Sequence, residues 1–76
     1  MTHLQETKLN IAITYIANGM NDGTGREYKV ADVKRLAMQY TGYSAEIINR
    51  AWLALMADGM IVITKHNPSL MAKRVA

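Results

Sequence analysis

Cysteine is absent from this chain of 76 residues, which excludes a disulfide framework and a thiolate metal site. No apolar run reaches the roughly 18 residues that a membrane span needs, and no charged and apolar leader opens the chain. The Asn-x-Ser pattern at residues 67–69 has proline in its middle position, so it is not a glycosylation acceptor. These absences lead us to expect a soluble, cytoplasmic protein.

The usual patterns of catalytic residues are also missing. We find no Ser-His-Asp order, no pair of carboxylates and no HxxxH cluster, and His3 and His66 lie at opposite ends without metal-ligand spacing. The glycine-rich stretch GMNDGTGRE (19–27) lacks the Gly-Lys-Ser/Thr of a phosphate-binding loop and follows a helix, so it predicts an ordinary loop. We therefore expect neither an enzyme nor a bound metal or cofactor.

The charge balance is basic but moderate. Nine lysines and arginines against six acids give a net charge of +3, which is compatible with a polyanionic partner without demanding one. The distribution is more informative, because cations adjoin in pairs at 34–35 and 73–74 and a lysine adjoins a histidine at 65–66, whereas the acids are scattered singly. Half of the residues are hydrophobic, enough for the core of one small domain, which we assign to residues 1–76.

The first helix is predicted from a capping box, with Thr2 as N-cap and Gln5 three residues later. It should run to about Asn18, with Gly19 as its terminator. At helical spacing its apolar residues form two neighbouring stripes that together span roughly 200°. The first contains Leu9, Ala12, Ile13, Ile16 and Met20, and the second contains Leu4, Ile11 and Tyr15. Two interpretations stay open: a helix buried deeply in its own domain, or a surplus face that packs against a second subunit.

A short strand is predicted at 28–30, followed by a second helix at about 31–40. Its inward residues should be Val33, Leu36, Ala37 and Tyr40, and its outward residues Lys34, Arg35 and Gln39. Ser44 is a good N-cap for a third helix, which Asp58 and Gly59 should end. The inner arc of that helix should contain Ile47, Ile48, Ala51, Trp52 and Leu55. Residues 60–65 and 70–75 then predict a β-hairpin that packs against the helices, and the short strand at 28–30 should join its sheet.

This order of elements resembles the winged helix-turn-helix family of bacterial DNA-binding domains. The register supports the resemblance, since Ser44 is followed by apolar or basic residues at characteristic offsets: Ile48 at plus four, Arg50 at plus six, Trp52 at plus eight, Leu55 at plus eleven, and Gly59 at plus fifteen before Met60 and Ile61. The stretch LAMQYTGYS resembles the second helix and turn of the family. The resemblance covers residues 29–75 and implies an α+β, mainly α fold with three helices and a C-terminal β-hairpin wing.

The resemblance also implies a function: sequence-specific binding of double-stranded DNA by a transcriptional regulator, most simply a bacterial or phage repressor. The third helix would lie in the major groove and the wing on the backbone or in the minor groove. By position, the DNA-binding residues would be Lys34, Arg35, Tyr43, Ser44, Ala45, Glu46, Asn49, Arg50, Lys65, His66 and Asn67. The chemistry is suitable, because arginine recognises guanine, asparagine recognises adenine and glutamate accepts from cytosine.

The outward arc of the third helix is poor in positive charge, however, and this leaves two interpretations open. One monomer offers about four well-placed cations, which predicts weak, salt-sensitive DNA binding. A homodimer that pairs through Leu4, Ile11 and Tyr15 would double that number. Alternatively, the exposed Leu53 and Ala57 and the tail LMAKRVA suit a phage-type module that binds and modulates a host protein.

Overall fold

The computed structural model describes residues 2–20 and 25–75, which form a small, mainly helical α+β domain. Residues 21–24, in the predicted glycine-rich loop, lie outside the described part. The helices and strands follow the order predicted from the sequence, and the strands form an antiparallel sheet in the order β1-β3-β2. The helices are α1 (His3–Gly19), α2 (Val30–Thr41) and α3 (Ala45–Ala57), and the strands are β1 (Tyr28–Lys29), β2 (Ile61–Lys65) and β3 (Met71–Arg74).

The predicted capping box at the start of α1 is confirmed. The hydroxyl of Thr2 accepts a hydrogen bond from the backbone N–H of Gln5 at 3.2 Å, and the side-chain oxygen of Gln5 accepts one from the N–H of Thr2 at 3.0 Å. Both bonds satisfy donors that a helix N-terminus otherwise leaves free. At the other end, Gly19 is the last helical residue and not the residue beyond it, and Met20 caps the helix.

The prediction of the inner face of α2 was partly wrong. Ala37 is buried and Val33 is half-buried, as predicted, but Leu36 is 40% exposed and Tyr40 is 70% exposed. The helix begins at Val30, which was predicted as strand and is instead a buried first-turn residue. Because Val30 and Ala37 lie two helical turns apart on one line, they set the core side of α2, and Leu36 and Tyr40 fall beside that line.

The termini and the inner arc of α3 are as predicted. The Ser44 hydroxyl accepts a hydrogen bond from the N–H of Ile47 at 3.4 Å. Gly42 ends α2 with a φ of 71°, and Gly59 follows α3 with a φ of 73°, in the left-handed region that glycine adopts without steric cost. The predicted inner residues are all buried: Ile47, Ile48, Ala51, Trp52 and Leu55.

The hairpin is completed by the short strand, as predicted. Strand β3 is central and pairs with β2 on one side and with β1 on the other, where Tyr28 lies opposite Ala72. The N–H of Val30 still donates to the carbonyl of Leu70 at 3.0 Å, although Val30 belongs to α2. The guanidinium of Arg74 donates to the carbonyl of Ala17, which ties the sheet to the last turn of α1.

The core lies between the three helices and the sheet, and α1 packs mainly on α3. Its largest fully buried side chains are Ile16, Ile48, Leu55 and Ile61. From the first stripe of α1, Ala12, Ile16 and Met20 are buried and Leu9 and Ile13 pack at the edge of the core. As far as the described residues extend, no helix has both the length and the apolar character that a bilayer crossing needs.

Candidate nucleic-acid interface

The solvent side of α3 carries the central part of the predicted site. Ser44 stands at its N-terminus, and Asn49 and Arg50 are exposed to solvent. The remaining exposed residues of this side are Ala45, Glu46, Leu53 and Ala57. We call these six residues the α3 outer face: Ala45, Glu46, Asn49, Arg50, Leu53 and Ala57. Its first two turns hold all its polar side chains, and its later turns are apolar.

Arg50 is paired within its own helix. Its Nη2 lies 3.1 Å from Oε1 of Glu46, one helical turn earlier, and both side chains are more than half exposed. The two residues line a small cavity of about 150 Å³ together with Gln5 and Ile47, which places Arg50 on the side of α3 that meets the start of α1. The contact with Glu46 uses one of the five N–H donors of the guanidinium, so the others stay available to a base.

Lys34 lies against α3 and does not point outward as predicted. Its side chain is half-buried, and its Nζ lies 5.6 Å from the centroid of the Trp52 ring, within the range of a cation–π interaction. The rotation of α2 that exposes Leu36 turns Lys34 toward its neighbour. Arg35 is exposed as predicted, and its Nη2 lies 3.4 Å from Oδ1 of Asp32.

The hairpin contributes the remaining polar residues of the predicted site. Lys65, at the end of β2, is exposed, and its Nζ lies 3.6 Å from Oε2 of Glu27. His66 and Asn67 are exposed in the turn between β2 and β3. The turn therefore presents side chains that can reach a ligand, but its lysine is shared with an acid that precedes β1.

Within residues 2–20 and 25–75, three cations of the predicted site thus lie beside carboxylates: Arg35, Arg50 and Lys65. Exposed pairs of this kind contribute about 0–1 kcal/mol, so exchange for a phosphate is inexpensive. Each acid nevertheless brings negative charge next to the site. The sequence could have indicated the pairs on α2 and α3, because their partners are three and four residues apart. The pair between Glu27 and Lys65 has no such local signal.

Tyr43, in the turn before α3, is shared between the core and the predicted site. It is half-buried and packs on the core, and the Nζ of Lys8 lies 5.6 Å from its ring centroid. The ring therefore anchors the turn before α3. Lys8, which sequence reasoning did not assign to the site, brings a cation from α1 to this turn.

The second stripe of α1 forms a separate surface. Leu4 is 63% exposed, Ile11 47% and Tyr15 37%, so the described part of the chain does not bury them. The ring of Tyr15 stacks on that of Tyr40, with centroids 6.2 Å apart and planes at 29°. The deep-burial interpretation of this helix is therefore wrong for its second stripe, and Tyr40 extends the exposed apolar surface onto α2.

Comparison of the chain with models of protein families, with curated proteins and with solved structures finds no match. Among the described residues, no group of three or more acidic, histidine or cysteine side chains is placed to hold a metal ion. The candidate site is thus defined by its geometry: a capped helix with a polar first half, and Lys34 of α2 lying against Trp52 of that helix.

Proposed function

We propose that the protein binds double-stranded DNA as a winged helix-turn-helix regulator, with α3 in the major groove and the turn between β2 and β3 on the backbone or in the minor groove. The observation that carries the proposal is the exposure of Asn49 and Arg50 on the first half of a capped helix. A sheet in the order β1-β3-β2 behind three helices, in the described residues, agrees with that architecture.

The chemistry of base recognition falls to the first half of the α3 outer face. Arg50 can donate two hydrogen bonds to guanine, and Asn49 can donate to and accept from adenine. Glu46 either accepts from cytosine or remains the internal partner of Arg50. The free N–H groups at the start of α3, beside Ser44, suit a phosphate oxygen because a helix N-terminus carries partial positive charge.

The electrostatic contribution of one monomer is modest. Lys34, Arg35 and Lys65 give about three phosphate contacts, and each contributes about −0.9 to the slope of log affinity against log salt concentration. We therefore expect a slope of about −3 per monomer. Fluorescence anisotropy with labelled duplex DNA at several salt concentrations measures it. A protein that fails to bind duplex DNA even at low salt would exclude the proposed function.

Neutralising Glu46 is expected to strengthen binding. In Glu46→Gln the arginine loses its carboxylate partner and the face loses a negative charge, so affinity for a random-sequence duplex should rise about two- to fivefold at low salt. Asp58→Asn is the matched control, since it removes the same charge about 18 Å further along α3. Anisotropy at 0.1 M salt separates the two variants, because the Debye length at this concentration is about 10 Å, shorter than the distance between the two positions. Equal gains for both variants would mean that net charge, and not the α3 outer face, governs binding.

The alternative function, a module that binds a host protein, is favoured by one observation. Leu53 is 63% exposed in the middle of the α3 outer face, next to Ala57, where phosphate recognition gives it no role. If a protein is the partner, Leu53→Gln should abolish capture of one stoichiometric protein from bacterial lysate. Leu36→Gln, a control at another exposed leucine, should retain it. Under the DNA proposal, Leu53→Gln leaves duplex affinity unchanged because it introduces no charge.

A further inference from the structure

The exposed side of α1 carries a regular seam. Its residues alternate in spacing between three and four, which is the repeat of helices that pair side by side. All of them are exposed: Leu4, Thr7, Ile11, Thr14 and Asn18. We call these five residues the α1 seam. It lies on a different side of α1 from the buried residues Ala12 and Ile16, so packing within the domain does not explain its pattern.

Three of the five α1 seam residues, Ile11, Thr14 and Asn18, lie in the longest part of the helix that has no charge. Residues 9–20 contain no acidic or basic side chain, although the chain as a whole has a net charge of +3. The exposed side chains there are amides, hydroxyls and apolar groups. An acidic or nucleic-acid partner gains nothing from such a surface. A second copy, which its basic faces would repel, meets no like charge when it approaches here.

The seam is also nearly symmetric about its own centre. Ile11 is the middle residue of α1 (His3–Gly19), and Leu4 and Asn18 lie seven residues to either side of it. If two copies of the helix pair antiparallel across a two-fold axis, Ile11 meets Ile11 of the second copy, and Leu4 meets Asn18. Such an arrangement uses the same patch on both subunits, as closed dimers do.

The neighbouring part of α2 supplies the remaining area. Tyr40, which stacks on Tyr15, and Leu36, which shares a small apolar cavity of about 110 Å³ with Tyr15, continue the surface beside the seam. A helix of 17 residues is about 25 Å long. With about 20 Å of width across α1 and α2, each copy would bury about 500 Å². The total of about 1,000 Å² is the lower limit for a specific interface.

We propose that two copies of this chain pair through the α1 seam, antiparallel, with the two-fold axis at Ile11. Only the role of this dimer rests on the proposed function. That role is to bring the cations of two α3 outer faces and two hairpins to one DNA duplex. The interface itself follows from the spacing, neutrality and symmetry of α1.

The absence of cysteine makes the contact directly testable. Ile11→Cys gives a chain with one thiol, which two-fold pairing brings next to the same thiol of the second copy, within the distance that a disulfide spans. With copper phenanthroline as oxidant and the protein at high micromolar concentration, Ile11→Cys should form covalent dimers at least tenfold faster than Leu53→Cys on α3. Equal rates would overturn the proposal, and circular dichroism checks that both variants fold.

The antiparallel arrangement has its own test. In a mixture of Leu4→Cys and Asn18→Cys, the disulfide between the two variants should dominate, whereas each variant alone should cross-link slowly. Predominant self-linking of Leu4→Cys would mean parallel pairing and would overturn the proposal. These experiments contain no DNA, so a monomer that still binds duplex DNA contradicts only the pairing, and a cross-linked dimer that does not bind it contradicts only the proposed function.

Discussion

Leu55→Ala is expected to lower the free energy of unfolding by about 2–5 kcal/mol, whereas Leu53→Ala should change it by less than about 0.5 kcal/mol. The two leucines lie two residues apart on α3, but Leu55 is 1% exposed and Leu53 is 63% exposed. Truncating Leu55 leaves a cavity in the core between the three helices and the sheet. Truncating Leu53 removes atoms that are already mostly in water.

The size of this effect matters because the domain is small. A chain of 76 residues has a free energy of unfolding of about 4–11 kcal/mol, so Leu55→Ala removes a large share of it. Urea denaturation followed through the fluorescence of the buried Trp52 measures both variants against the wild type. Similar losses at the two positions would mean that α3 is rotated about its axis, and the α3 outer face would then have to be redefined.

Arg50→Ala is expected to weaken binding to the preferred duplex about five- to 150-fold, which corresponds to about 1–3 kcal/mol. The guanidinium is the strongest base-reading group on the α3 outer face, and its exposure means that its removal does not disturb the core. The ion pair with Glu46 lowers the effect by at most about 1 kcal/mol, the amount that exposed pairs contribute. The preferred duplex is obtained by selection from a random pool, and affinities are measured by anisotropy.

The control for Arg50→Ala is Arg26→Ala. Arg26 is exposed and stacks over the Tyr28 ring, with its Cζ 4.8 Å from the centroid. Arg26→Ala therefore removes the same charge as Arg50→Ala, but at a position outside the predicted site. We expect Arg26→Ala to weaken binding less than threefold, a purely electrostatic effect. In a repeated selection, Arg50→Ala should lose its preference at one base pair. Equal losses from both variants, with unchanged preference, would show that Arg50 does not contact a base.

Local interactions were predictable from the sequence, and they define most of the fold. The capping box of Thr2 and Gln5 and the cap at Ser44 depend on side chains within three residues of the groups they bind. The periodicity of α3 predicted its buried arc, and with it the exposure of Asn49 and Arg50, because one side of a helix between a core and solvent is necessarily apolar. The hairpin followed from its β-branched run and turn residues.

The environment of the site depended on tertiary packing. The pattern of α2 is compatible with several rotations about its axis, and only its contacts with α1 and α3 decide that Lys34 lies over Trp52 while Leu36 and Tyr40 face solvent. The charge of the site likewise depends on tertiary packing, because the end of β2 brings Lys65 beside Glu27, the residue that precedes β1.

The sequence by itself therefore determined the order of the described helices and strands and most of their bounds, because hydrogen-bonded caps, turns and periodicity act over a few residues. The tertiary structure alone decided that Lys65 shares its charge with Glu27 and that the second apolar stripe of α1 stays exposed. Those outcomes depend on distances between segments far apart in the chain, which no local pattern encodes.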